Sequence, residues 1–129
     1  MQNTFSNIYI IILFSEKKVT EKVGKLGVFT FEPGYYFYIG SAKNNIEKRV
    51  ERHFRHDKKL HWHIDYITTV IKPVKAVIMK NVEFSECELN QALHQEFNTE
   101  YPVRKFGSSD CKCHSHLHFK RGQVFDIRF

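Results

Sequence analysis

The 129-residue chain carries 42% apolar side chains, enough for one packed core, and its 12 Phe and 6 Tyr exclude a globally disordered composition. A formal net charge of +6 favours a polyanionic partner, although charge alone does not separate a nucleic-acid binder from a soluble basic domain. The early apolar run from Ile8 to Phe14 is far shorter than the ~20 residues of a membrane-spanning helix, and no basic stretch precedes it. Neither a signal peptide nor contact with a membrane is therefore expected. With three cysteines the count is odd, and Cys111 and Cys113 lie too close together for a secretory disulfide framework. A reducing, cytoplasmic setting fits best.

Ile8 to Phe14 is β-branched and aromatic with polar borders, which predicts a mostly buried strand. Lys17 to Thr30 alternates loosely around Gly24 and Gly27 and predicts one or two short strands joined by a turn. Pro33-Gly34 marks a further turn, and Tyr35 to Tyr38 predicts an aromatic strand that stops at Gly40. From Asn45 the spacing becomes helical, with Ile46, Val50 and Phe54 as the apolar stripe and Lys48, Arg52 and Arg55 turned elsewhere. A second helix is predicted from about Trp62 to Ile71 on the stripe Ile64, Ile67, Ile71, and Pro73 ends it. Val74 to Met79 reads as a strand. Ser85-Glu86-Cys87-Glu88 has the form of a capping box, and Leu89, Ala92, Leu93 and Phe97 continue as the apolar face of a third helix. Beyond it, Gly107 to Asp110 makes a loop, and Leu117 to Phe119 with Val124 to Phe129 flank Arg121-Gly122 as a β-hairpin.

The chemistry concentrates where the strand end Tyr38-Ile39-Gly40 runs into the first helix. Ile46-Glu47-Lys48-Arg49 supplies a hydrophobic-x-x-Arg step there, His53 follows one turn later, and a glutamate stands on the third helix. In these features the chain resembles the GIY-YIG nucleases, with Asn7-Ile8-Tyr9 similar to their first motif. Asn7 stands where that family usually has glycine, and the spacer between the two motifs is longer than in its compact members. More narrowly, Pro33-Gly34-Tyr35, Tyr38 to Ala42, His61 to Tyr66, Glu86 to Leu89 and Phe106 to Cys113 resemble the prokaryotic URI-type endonucleases.

The resemblance implies an α/β (α+β) domain with a small, mainly antiparallel sheet flanked by three helices, to which the C-terminal hairpin is added. One domain spans 1–129, with a core of about 7–97 and an extension of about 98–129. The implied activity is metal-dependent hydrolysis of DNA phosphodiesters, with one Mg2+ or Mn2+ ion. Such a reaction needs an activated water, charge neutralisation on the phosphoryl oxygens and a Lewis acid near the leaving oxygen. Tyr9 and Tyr38 are the candidates for water activation. An ordinary tyrosine titrates near ~10, so either needs a neighbouring cation such as Arg49. Arg49 suits a phosphate oxygen pair. His53 is a candidate general base or phosphate contact, against the alternative of an exposed helix histidine. Glu86, in phase with Leu89 and Leu93, is the preferred metal ligand, and Glu88 is the alternative with a separate explanation as the capping acid. Gly40, Ser41, Lys43, Arg52 and His63 are candidate DNA contacts, while Asp65 or His61 is a candidate cap of the second helix.

Cys111, Cys113 and His116, with Cys87, offer thiolate and imidazole donors suited to a structural Zn2+. The C-x-C spacing departs from the usual knuckle, and the alternation of His114, His116 and His118 also fits plain packing on one strand face, with a substrate-contacting loop as a further alternative. Three functions follow: an endonuclease acting on DNA, a non-catalytic nucleic-acid-binding module on the same scaffold, and a zinc-organised interaction domain. A core this small leaves room for a protein partner that delivers specificity.

Overall fold

The computed structural model describes residues 5–107, 113 and 115–121. In chain order the elements are β1 (Ser6–Ser15), β2 (Val19–Val23), a 3₁₀ turn (Gly24–Leu26), β3 (Gly27–Phe31), β4 (Gly34–Ser41), α1 (Ile46–Phe54) and α2 (His63–Thr68). There follow β5 (Lys72–Val82), α3 (Glu86–Phe97) and β6 (Leu117–Lys120). The fold is α+β: a sheet in the order β5-β1-β4-β6, antiparallel throughout, with three helices. The expected hairpin arm from Val124 to Phe129 lies outside the described residues. Its first arm, β6, pairs with β4.

Side chains alternate across β1 and β4 and fill both faces of the sheet. Tyr9, Ile11, Leu13, Tyr36 and Tyr38 point to one face, where α1 and α2 supply Ile46, Val50, Ile64 and Ile67. Ile8, Ile10, Ile12, Tyr35, Phe37 and Ile39 point to the other, where α3 supplies Leu93. Burial of each such aliphatic stabilises by ~1.5–3 kcal/mol, so the two central strands anchor the domain. β2 and β3 form a separate two-stranded sheet that packs against α2, and this hairpin accounts for the long spacer between the two tyrosine-bearing strands.

Four local expectations change. The stripe of α1 continues through His53, which is fully buried, whereas Phe54 is 42% exposed. Positions i+3 and i+4 both fit a helix face, and contact with Tyr9 decides between them. β4 runs one residue past Gly40, to Ser41. α2 is shorter than expected, ending at Thr68, yet Ile64, Ile67 and Ile71 are all buried. Pro73 does not precede β5 but sits inside it, opposite Leu13, where the register shifts. β5 is an edge strand, and an edge position is where a missing N–H is tolerated. No helix among the described residues is long and apolar enough to cross a membrane.

Candidate functional site

β1 and β4 pair so that Tyr9 lies opposite Gly40 and Ile11 opposite Tyr38. Both tyrosines therefore emerge on the face that α1 covers, with ring centres 6.4 Å apart. A Cβ at Gly40 would collide with the ring and hydroxyl of Tyr9, so glycine is what lets the phenol cross the neighbouring strand. Asn7, two residues earlier, accepts the Asn81 N–H on its Oδ1 at 3.0 Å and ties the start of β1 to the end of β5.

Behind Tyr9 stands His53, its Nε2 2.8 Å from the phenolic oxygen. Burial, and then the Lys58 ammonium, pushes His53 down to about 4. Burial raises Tyr9 well above the usual phenol range despite the opposing Arg49 charge, and it raises Tyr38 likewise. All three groups are thus neutral near pH 7. Whichever ring nitrogen of His53 carries the proton, Nδ1 has no hydrogen-bond partner among the described residues. The alternative of an exposed helix histidine is overturned by this burial.

Arg49, one turn before His53, donates from Nη1 to the Ser41 carbonyl at 3.1 Å, and its guanidinium lies 4.9 Å from the centre of the Trp62 ring. Glu86 reaches the same place from the first turn of α3. Ser85 Oγ accepts the Glu88 N–H at 3.0 Å and Glu88 Oε1 accepts the Ser85 N–H at 2.9 Å, so Glu88 is occupied as the cap. Glu86 is left to face Ser41, whose hydroxyl donates to Oε2 at 3.3 Å. Burial raises the Glu86 carboxyl, partly offset by the Ser41 hydrogen bond and the Arg49 charge.

Tyr9, Tyr38, Ser41, Arg49, Trp62 and Glu86 line one open cavity of about 490 Å³. Gly40, His63 and Cys87 border it as well. His63 accepts the Gly107 N–H on Nδ1 at 2.8 Å, which leaves Nε2 to carry its proton. Two expected DNA contacts are absent from the lining. Lys43 is exposed on the loop after β4. Arg52 is committed to the buried Asp65 through bonds of 2.7 and 3.0 Å and to the Lys59 carbonyl, which makes it a strut between α1 and α2. Asp65 also accepts the His61 and Trp62 N–H groups, each at 2.8 Å, so it caps α2 from inside the first turn. Burial opposes its charge, while these partners hold its carboxyl below the usual aspartate range.

A second cluster adjoins the cavity. One ligand atom each from Cys87, Cys113 and His116 lie within 4.8 Å of one another, a group able to hold a metal ion. Cys111, expected in the same set, lies outside the described residues, as does His114. His118 stands apart, in a buried network: its Nε2 bonds Asn90 Oδ1 at 2.6 Å and its Nδ1 bonds Thr99 Oγ1 at 2.7 Å. Burial, then His94 and His116, pushes His118 down to about 3. Neither that network nor the place of Trp62 beside Arg49 was foreseen from the sequence; the single tryptophan in a polar segment was the available signal for the second.

The fold and site define a small α+β domain with a polar cavity at one strand end and a thiol–imidazole cluster beside it. The chain belongs to the DUF123 family, described as a domain of unknown function, whose model matches residues 8–126. In the comparisons with curated proteins and with solved structures, nothing matches.

Proposed function

We propose that the protein is an endonuclease that hydrolyses DNA phosphodiester bonds with one Mg2+ or Mn2+ ion, as its resemblance to the URI-type GIY-YIG nucleases implies. The observation that carries this reading is the convergence of Tyr9, Tyr38, Arg49 and Glu86 on one cavity from four different elements, β1, β4, α1 and α3. The donor set suits a hydrated divalent ion: a half-buried carboxylate beside the Ser41 hydroxyl, with 26% of the Glu86 side chain exposed. When bound there, the ion would supply a Lewis acid for the leaving oxygen.

The residues themselves account for the rest. Arg49 retains guanidinium donors beyond the one given to Ser41 and can hold two phosphoryl oxygens. Tyr9 can take a proton from the attacking water while passing its own to His53 Nε2, so its raised phenol never ionises ahead of attack. Tyr38 fixes the other side of the scissile phosphate, and Gly40, Ser41 and His63 lie along the cavity wall where the DNA backbone would run. The thiolate and imidazole donors of the second cluster favour Zn2+ over Mg2+. Those thiols suit the reducing cytoplasm of a prokaryote, and a protein partner would supply the sequence or structure preference.

The test is a nicking assay with Mg2+ or Mn2+ on single-stranded, duplex, flap and branched DNA. Arg49→Ala and Glu86→Ala are expected to cut DNA ~10²–10³-fold more slowly while still binding it, Arg49→Ala somewhat more weakly for the lost phosphate contact. No cutting of any substrate by the wild type, beside an active sibling domain, overturns the reading. The burial that raises both phenols favours a second one, a binding module without cleavage. DNA binding by all three proteins with cutting by none would select it.

A further inference from the structure

We infer that Cys87, Cys113 and His116 bind a zinc ion that sets the orientation of Glu86 through the imidazole of His116. This deepens the nuclease reading in its second half, since it gives the carboxylate proposed to hold the catalytic ion a positioning residue. The first half, the zinc site, stands without that reading.

His116 has two faces. Its Nε2 lies 4.0 Å from Cys87 Sγ, and its Nδ1 lies 3.5 Å from Glu86 Oε1. Thiolate sulfurs and an imidazole nitrogen around one tetrahedral zinc stand about 3.5–3.8 Å apart, given metal–ligand bonds near 2.3 and 2.0 Å. The three atoms here already lie within 4.8 Å, so closing on an ion takes about an ångström of side-chain movement.

The positions of two ligands are fixed without any metal. His116 N–H donates to the Phe106 carbonyl at 2.8 Å, and its own carbonyl accepts the Ile39 N–H at 3.0 Å. Asn90 Nδ2 donates to the Ser115 carbonyl at 2.8 Å, which locks the residue before His116 to the helix that carries Cys87. Cys113 lies three residues upstream of His116. Three protein donors leave the fourth position of a tetrahedron to water or another ligand.

Metal on Nε2 leaves the proton on Nδ1, where it points at Glu86. A ligand histidine with a carboxylate behind it is the usual arrangement around zinc. Here the carboxylate also lines the cavity and accepts from Ser41 on its other oxygen. Zinc therefore holds one oxygen of Glu86 through His116, while Ser41 holds the second.

The full chain, stripped of metal and titrated with Co2+, should take up one ion with a thiolate-to-cobalt charge-transfer band, and Zn2+ should displace it. Cys113→Ser, at a half-buried position outside the helices and strands, should lose the band while keeping the far-ultraviolet circular dichroism of the fold. Absence of the band in wild-type protein overturns the site, whatever any variant does. For the coupling, Mn2+ binding is followed by electron paramagnetic resonance in zinc-loaded and zinc-stripped protein, with no DNA present. An affinity about tenfold weaker without zinc is expected. Equal Mn2+ affinity overturns the link to Glu86. Failure to cut DNA despite both results would sink the nuclease reading alone.

Discussion

His118 and His53 are both fully buried, on opposite faces of the sheet, yet they stand in opposite conditions. Both ring nitrogens of His118 are hydrogen-bonded, and its partner Asn90 also serves the Ser115 carbonyl. A buried network in which every polar group is satisfied joins α3 to β6 and stabilises the fold. His53 has only the Tyr9 hydroxyl on Nε2, with Nδ1 unpaired among the described residues. A half-satisfied buried imidazole is costly, and the position makes sense if proton movement through Tyr9 is its purpose. One histidine belongs to the architecture; the other belongs to the cavity.

The largest expected effect that tests this contrast is on stability. Asn90→Ala strips partners from both the Ser115 carbonyl and His118, and should lower the unfolding free energy by ~3 kcal/mol in urea denaturation. A loss below ~1 kcal/mol would break the comparison at its structural end.

Acidification comes next. In the unfolded chain both histidines take up protons near pH ~6.5. In the folded chain they stay neutral until about 4 for His53 and about 3 for His118. Between those limits the unfolded state binds more protons, so stability is full above pH ~6.5 and falls as the pH falls, by up to ~1.4 kcal/mol per pH unit for each histidine. Urea midpoints measured from pH 7 to 4 should show this slope, and His118→Gln should make it shallower by removing one of the imidazoles that burial holds neutral. An unchanged slope in that variant would mean that His118 is not held neutral by burial.

Tyr9→Phe should have the smallest effect on stability, ~1–2 kcal/mol, because it leaves one buried nitrogen, His53 Nε2, without a partner where Asn90→Ala orphans groups on two residues. Under the proposed function the same variant should lose cutting by ~10²-fold or more. If it destabilises as much as Asn90→Ala, the Tyr9–His53 pair is architecture too.

Sequence patterns of short range carried over well. The β-branched run of β1, the stripe Ile64, Ile67, Ile71 and the capping box of Ser85 and Glu88 are all encoded within a few residues. The box even separated Glu88 at the cap from Glu86 at the cavity. What escaped has partners distant in the chain. Arg52 reads as one more surface cation on a basic helix until Asp65, thirteen residues on, folds back against it. His118 reads as one member of a histidine alternation, because nothing near it announces Asn90 or Thr99. Pro73 reads as a stop, since only the sheet order reveals that β5 is an edge.

Trp62 is the chain's single tryptophan, and it lies against the guanidinium groups of Arg49 and Arg52, at 4.9 and 4.6 Å from its ring centre. Arg49 borders the cavity while Arg52 braces the two helices, so one indole borders both the site and the scaffold. The protein consequently carries its own optical reporter. A phosphate drawing Arg49 off the ring would alter the emission without touching the Arg52 contact, whereas unfolding would remove both, giving occupancy and denaturation separate signatures in one spectrum.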